Sequence, residues 1–555
     1  MEKLYTTAGE TLSGIPWDTY PRPQMIRKDW LCLNGEWEFI AGDRRRPIRV
    51  PFCPESLLSG IGEMPEYGQP MLYRKCFSLP DNWQGKRVLL HFGAVCREAT
   101  VYLNHVPLCV HHNGYLPFTV ELTDHLNQGE NTLVVRVVND LSPKYPWGKQ
   151  KIKRGGMWYT PVSGIWQTVW LEPVPREYIR SLSVKTGTDW VNITVDGAET
   201  GTVTFLQREY PLQHGKVQIE IESPILWSPE HPHLYPFTVT AGEDRVESYF
   251  ALRTLTVEEV NGIKRLCLNG KPYFFNAVLD QGYWSDGLYT PASPKGFEED
   301  ILTMKSLGFN TLRKHIKIEP ETFYYDCDRL GMVVFQDMVN NGVYHYLRDT
   351  ILPTIGLPLT KDDRISHRDR ESRKNFLTAM DETVRLLGNH PSICYWTIFN
   401  EGWGQFRADD AYRRLRAMDD SRFIDATSGW FQQKLSDVDS LHLYFEKLHF
   451  GKRDLPHVFS EFGGYSYPIP AHSANPNRIY GYKKFTEHAS FTQALRALYE
   501  ELLPQAKAGL CAAVYTQLSD VEDETNGFIT YDRKVLKVDP EEMRPMMERI
   551  IQAVC

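Results

Sequence analysis

No apolar run in the 555 residues approaches the roughly 18 needed to cross a bilayer, and none of the ten cysteines forms a Cys-x-x-Cys pair. The first absence argues against a helical membrane protein. The second, with Cys96 and Cys109 as the closest pair, leaves no spacing for a zinc centre, so no metal is expected. Met1 to Thr7 lacks the apolar core of a secretory signal, so the expected location is cytoplasmic, with reduced thiols. Positive charge is not in excess. A net charge of −8 gives no electrostatic reason to bind nucleic acid or an anionic membrane, and neither is an expected partner. There is no Gly-x-Ser-x-Gly elbow and no Walker phosphate loop. The Gly60-Ile61-Gly62 start of a dinucleotide motif soon runs into Pro65, so no cofactor is expected. Tyrosine and tryptophan, by contrast, are plentiful. Such rings mostly fill cores, but their faces also suit sugars.

The length exceeds what one core supports and implies about three domains. Residues 1–175 are β-rich. Glu36-Trp37-Glu38-Phe39, Val88 to Phe92, Thr100 to Leu103, Leu133 to Val137 and Thr168 to Leu171 read as strands separated by turn residues, which predicts a jelly-roll-type sandwich. Lys144 to Met157 interrupts this pattern as a long, basic, glycine-containing loop. Residues 176–257 carry further strands at Val191 to Val195, Gly201 to Phe205 and Val217 to Ile221, a length that suits an immunoglobulin-like sandwich. From 258 to 555, strands alternate with helical patterns. Strands are predicted at 273–279, 309–315, 332–337, 393–400, 423–428, 440–444, 457–461 and 511–518. Helical patterns fall in several intervals, including 320–330, 372–388 and 405–419. One more helix follows Ser293 and Pro294, with Phe297, Ile301, Met304 and Leu307 on one face and Gly308 as its stop. Eight strands alternating with helices is the count of a (β/α)8 barrel.

Reactive groups of such a barrel sit at the carboxyl ends of its strands. The fourth strand, Ile393 to Asn400, is a run of apolar, β-branched and aromatic residues that reads as fully buried and ends at Asn400-Glu401-Gly402. The seventh, His457-Val458-Phe459-Ser460, ends at Glu461-Phe462-Gly463. One glutamate at a strand end is usually just a polar residue meeting water. Two of them can share one pocket, the minimum apparatus for cleaving a glycosidic bond.

With these residues in place the chain resembles glycoside hydrolase family 2 over nearly its whole length. Leu33-Asn34-Gly35-Glu36-Trp37 is similar to the family's opening strand. Gly164 to Leu171 is similar to the end of its sugar-binding-like sandwich, and Leu268-Asn269-Gly270-Lys271-Pro272 to the lead-in to its barrel. Asn400-Glu401 and Glu461-Phe462-Gly463 resemble its acid/base and nucleophile motifs. The resemblance implies a retaining exo-β-glycosidase acting on a carbohydrate substrate. Glu461 would be the nucleophile, Glu401 the acid and then the base, and Asn400 a ligand of the sugar 2-hydroxyl. The two carboxyl groups would stand about 5–5.5 Å apart. Ionised Glu461 then disfavours a second charge beside it, so Glu401 keeps its proton until the glycosyl ester forms.

Other candidates follow from position or resemblance. Arg313 could orient Glu461 or simply close a salt bridge at the barrel mouth. His315 follows it, although the family's His-Tyr-Pro run reads His315-Ile316-Lys317 here. Tyr444, beside His442, could hydrogen-bond the nucleophile or be a core tyrosine. Asp280, Asp337, Trp430, Gln517 and Asp520 face the pocket by position, with loop or cap roles as the alternative. The long loops Asp337 to Arg364 and Gly463 to Lys483 could wall the site, cover helices or make a subunit contact, which leaves a homo-oligomer open.

The sugar is less legible. The histidine-rich stretch after the first strand and the first-domain aspartate of β-galactosidases are missing. The Asn-x-Lys element of β-glucuronidases and the β-mannosidase pattern are missing as well. Lys144, Lys149, Lys151, Lys153 and Arg154 lean toward an acidic substrate unless the loop is merely solvated. The expectation is a neutral β-galactoside-type sugar first and a uronide second. A catalytically silent carbohydrate-binding protein of the same fold is the alternative class, and it has no need of both glutamates.

Overall fold

The computed structural model describes residues 3–352, 363–364, 366–451 and 453–554. Near the N-terminus, the strand Asn131–Val138 alternates buried and half-buried residues, the period of a sheet with one face in a core. It lies inside a six-stranded antiparallel sheet ordered Arg44–Val50, Gly35–Ala41, Pro70–Phe77, Asn131–Val138, Glu98–Leu103 and Val106–His111. A four-stranded antiparallel sheet (Leu31–Cys32, Val169–Val174, Arg87–Phe92, Phe118–Glu121) packs against it over Trp37, Tyr73, Leu90, Val101, Val135 and Val169.

A second sandwich pairs Ser181–Thr186, Trp190–Asp196 and Lys216–Glu220 with a sheet of Arg208–Pro211, Thr202–Phe205, Tyr235–Ala241 and Asp244–Phe250. Val191, Ile193, Phe205, Val239 and Val246 fill it. The two sandwiches are tied by Arg27, whose buried guanidinium donates to Asp244 in the second and to Glu172 in the first. Every described cysteine is free.

The remaining strands form one parallel eight-stranded sheet: β1 (Phe275–Asp280), β2 (Thr311–Lys314), β3 (Val333–Asp337), β4 (Ile393–Asn400), β5 (Phe423–Ser428), β6 (Asp439–Leu443), β7 (His457–Phe462) and β8 (Leu510–Tyr515). Each overlaps a predicted strand. Their order, 5-4-3-2-1-8-7-6, is that of a barrel opened between β5 and β6. That seam is bridged by Asp437, whose N–H donates to the Ile424 carbonyl at 3.0 Å and whose carboxylate accepts from the Ile424 N–H at 2.7 Å. The strands are buried almost throughout because both faces are covered, one by the barrel interior and the other by helices.

Helices α1 (Lys295–Ser306), α2 (Glu321–Leu330), α3 (Arg370–Leu387), α4 (Ala408–Met418), α5 (His488–Ala508) and α6 (Pro540–Gln552) surround it. In α1 the predicted stripe of Phe297, Ile301 and Met304, continued by Leu307, is buried. The chain leaves the helix at Gly308 with φ +95°, a left-handed conformation that glycine adopts without a Cβ penalty. Among the described residues no helix is long and apolar enough to cross a membrane.

Candidate active site

β4 delivers Glu401 through a turn that few residues tolerate. Glu401 has φ +52° and Gly402 φ +72°, so two successive left-handed residues reverse the chain at the barrel mouth. The conformation is held by Glu401 N–H to the Ser428 carbonyl and Trp403 N–H to the Asn400 carbonyl, both 3.0 Å. A side chain at 402 would collide with the Phe431 ring. β7 delivers Glu461 differently. The ladder between β6 and β7 shifts register at Leu441/His442, so that Glu461 pairs with His442. Carboxylate oxygens of Glu401 and Glu461 and a ring nitrogen of His442 all lie within 4.8 Å of one another.

The two carboxylates sit in unlike surroundings. The Glu401 side chain is 20% exposed and its Oε1 lies 2.8 Å from His442 Nδ1, while His442 Nε2 meets Ser428 Oγ at 3.0 Å. Glu461, 6% exposed, accepts from Arg313 Nη1 at 3.1 Å and from the Tyr444 hydroxyl. Burial pushes the Glu461 pKa up, but neighbouring charges, those of His442 and Arg313 foremost, outweigh it and hold the carboxyl well below its ordinary range. Arg313 also donates to Asp337, Asn400 and the Ser460 carbonyl, so one fork on β2 fixes residues from β3, β4 and β7. His315 Nδ1 lies 2.6 Å from Asp337. Burial first, and Lys149 second, lower the His315 pKa to about 4, so near neutral pH it is an uncharged ring. Trp430 borders the group, its ring centroid 5.8 Å from that of His442.

Three of the sequence candidates bond mainly to other groups, although Asp520 Oδ2 has no partner among the described residues. Asp280 is bound by Lys314 Nζ at 2.5 Å and by the Gly282 N–H, and Lys314 also reaches Glu319. Asp520 is bound by Lys537 at 2.6 Å. Gln517 accepts from Gln281 and donates to Glu524 and Asn526, all at 2.9 Å. The basic loop is dispersed. Lys144 pairs with Glu371, Lys151 lies over the Trp158 ring, and Arg154 donates to Thr160. Lys149 alone among them acts on Glu461. The same loop and the residue after it carry Trp147 and Trp158 onto the barrel, where their ring centroids lie 5.1 and 5.3 Å from that of Trp403, two residues beyond Glu401. The loop Asp337 to Arg364 lies partly outside the described residues. From the loop Gly463 to Lys483, Tyr482 stacks on Tyr444.

Sequence reasoning missed Glu524, Tyr482, Trp147 and Trp158. Only the clustering of aromatics in two long loops hinted at the last three. A divalent cation would find three ligands in Glu401, His442 and Glu461. Without one, the arrangement offers an ionised carboxylate facing a solvent-reachable second carboxyl group, suited to attack and proton transfer at one centre.

Residues 259–459 match the family model described as "Glycosyl hydrolases family 2, TIM barrel domain". Residues 67–201 match "Glycosyl hydrolase 2 galactose-binding domain-like", and residues 177–253 match "Glycosyl hydrolases family 2". The chain is 24% identical over 495 residues to a β-galactosidase of Thermoanaerobacter pseudethanolicus, covering 81% of this chain and 62% of that protein, less than two thirds of its length. It is 26% identical over 469 residues to a β-glucuronidase of Canis lupus familiaris, covering 72% and 67%. The solved β-D-glucuronidase of Dictyoglomus thermophilum superposes with a TM-score of 0.75 at 17% identity, over 96% of this chain and 98% of that one, a likeness of fold.

Proposed function

Because the chain belongs to glycoside hydrolase family 2, we propose that it is a retaining exo-β-glycosidase working through a covalent glycosyl-enzyme. The observation that carries this reading is the approach of Glu401 and Glu461 to within 4.8 Å. Retention needs carboxyl groups about 5–5.5 Å apart, whereas inversion needs about 6.5–9.5 Å to admit a water.

In the first step a Glu461 oxygen attacks the anomeric carbon while Glu401 passes its proton to the departing glycosidic oxygen, leaving a glycosyl ester. In the second, Glu401 takes a proton from water. The water oxygen attacks the same carbon and Glu461 leaves as carboxylate, so configuration is retained. Arg313 and Tyr444 support the nucleophile by donating to its two oxygens. The His442 ring, between Ser428 and Glu401, orients the acid. Asn400, anchored by Arg313, is placed to meet the 2-hydroxyl.

For the sugar we favour a neutral, β-galactoside-type glycone. Beyond β8, where β-glucuronidases of the family carry Asn-x-Lys, this chain has the acidic run Glu522-Asp523-Glu524. A β-uronide is the second reading, and Lys149 favours it: among the described residues that ammonium makes no ion pair, yet it acts on Glu461.

A panel of activated aryl β-glycosides, neutral and uronic, tests the activity. A 2-fluoro glycoside followed by mass measurement tests the covalent step. Glu461→Ala is expected to abolish labelling, and Glu401→Ala to retain slow turnover of substrates with good leaving groups. No turnover on any glycoside would favour the silent carbohydrate-binding alternative. Labelling of Glu461→Ala at the wild-type rate would overturn the role assignment.

A further inference from the structure

Three polar groups from separate parts of the chain interact electrostatically with Glu461 and have hydrogen-bonding capacity to spare. Glu524, from the loop after β8, is 4% exposed. Both of its side-chain bonds, from the Tyr159 hydroxyl at 2.7 Å and Gln517 Nε2 at 2.9 Å, fall on Oε2, and Oε1 accepts none among the described residues. Lys149, from the first sandwich, is the strongest opposing charge on Glu524 and also acts on Glu461, but it makes no ion pair with either. His315 is 2% exposed and its Nε2 has no partner among the described residues. Opposite charges held apart in a partly dry site leave both incompletely satisfied, and a group able to donate to one and accept from the other completes them.

A hydroxyl has that dual character, whereas a carboxylate can only accept. We propose that Glu524 and Lys149 form a sugar-selecting pair, in which one glycone hydroxyl donates to Glu524 Oε1 and accepts from the Lys149 ammonium. The proposal deepens the glycosidase reading above and rests on it. It assigns the specificity to a neutral sugar, because a uronate in that position meets Glu524 and Glu461 together against a single ammonium. The position of Glu524 is built into the fold. Gln517 holds it from just beyond β8 and Tyr159 holds it from the first sandwich, while Thr160 N–H, one residue further, binds Glu522 at 2.8 Å. Selection at this point therefore depends on two domains meeting at the barrel mouth.

The test compares wild type, Glu524→Gln and Lys149→Met on three kinds of substrate. These are the aryl β-glycoside turned over fastest, its 3-, 4- and 6-deoxy analogues, and the matching uronide. A hydrogen bond to a charged group is worth about 10- to 150-fold in kcat/KM, and Glu524→Gln should lose that on the parent. On one deoxy analogue the variant and the wild type should be equal, because the bond is already gone. The uronide-to-neutral ratio should rise in Glu524→Gln. Lys149→Met, on a half-buried loop, should show its penalty at the same deoxy position, and it decides the matter if Glu524→Gln does not fold. Equal penalties on the parent and every deoxy analogue, or a wild type that prefers the uronide, overturn this assignment alone. A wild type that hydrolyses no glycoside overturns the reading beneath it as well.

Discussion

Replacing Arg313 by lysine separates the charge at the nucleophile from the geometry that delivers it. The guanidinium is 1% exposed and donates at 3.0 Å to Asp337, 3.1 Å to Glu461, 2.8 Å to the Ser460 carbonyl and 2.9 Å to Asn400. Lysine keeps the positive charge, but its donors radiate from one atom and cannot span from Asp337 to Asn400. At least two charge-assisted bonds are lost, at about 1.5–3 kcal/mol each. If the whole loss of about 3–6 kcal/mol falls on the transition state, kcat/KM drops about 10²- to 10⁴-fold.

The pH profile gives an independent sign. Although burial pushes the Glu461 carboxyl up, neighbouring charges, Arg313 among them, hold it below the ordinary 4.5. Its contribution to stability is therefore complete above that ordinary value and is lost as pH falls through the folded value. Loosening the Arg313 contact returns Glu461 toward its ordinary range, so the acid limb of kcat/KM should move to higher pH in Arg313→Lys. Initial rates on an aryl glycoside across the acid range, with intact folding checked by circular dichroism, measure both effects. Wild-type kcat/KM together with an unmoved acid limb would refute the claim that the fork positions the nucleophile.

Two further outcomes concern the scaffold. Asp425, on β5, is raised by burial to about 6 from an ordinary 3.8, partly offset by a Ser440 hydrogen bond and the Arg313 charge. Its stabilising, protonated contribution is present below 3.8 and lost as pH rises through about 6, so Asp425→Asn should flatten the dependence of the urea midpoint on pH in that window. Met304, wholly buried on α1, should cost about 2–5 kcal/mol as Met304→Ala, read from urea unfolding, with kcat of the folded enzyme unchanged.

Most of the barrel was legible because its strands are buried on both faces. Runs such as Ile393 to Phe399 can then be almost wholly apolar, and the first polar residue marks the mouth. That is why Glu401 and Glu461 stood out at strand ends. Where a side chain's direction depends on a local irregularity, the pattern says nothing. The register shift at Leu441/His442 and the left-handed turn at Glu401 leave no periodic trace, yet they bring the two carboxylates to one point.

Charge was the hardest feature to read. Five cations in one loop left an acidic substrate and a merely solvated loop both open, and contacts with Glu371, Trp158 and Thr160 draw three of them aside, while Lys149 acts on the nucleophile. Glu522, Asp523 and Glu524 are all buried, because Thr160, Asn475 and Tyr159 supply donors to them. An acidic run survives such burial only where another part of the chain satisfies it. Two of those three donors belong to the first sandwich. The acidic run beyond β8 and the stretch from Lys149 to Thr160 are therefore one structural unit, built from segments more than 350 residues apart. A change in either segment alters the charge and shape presented to the glycone by both.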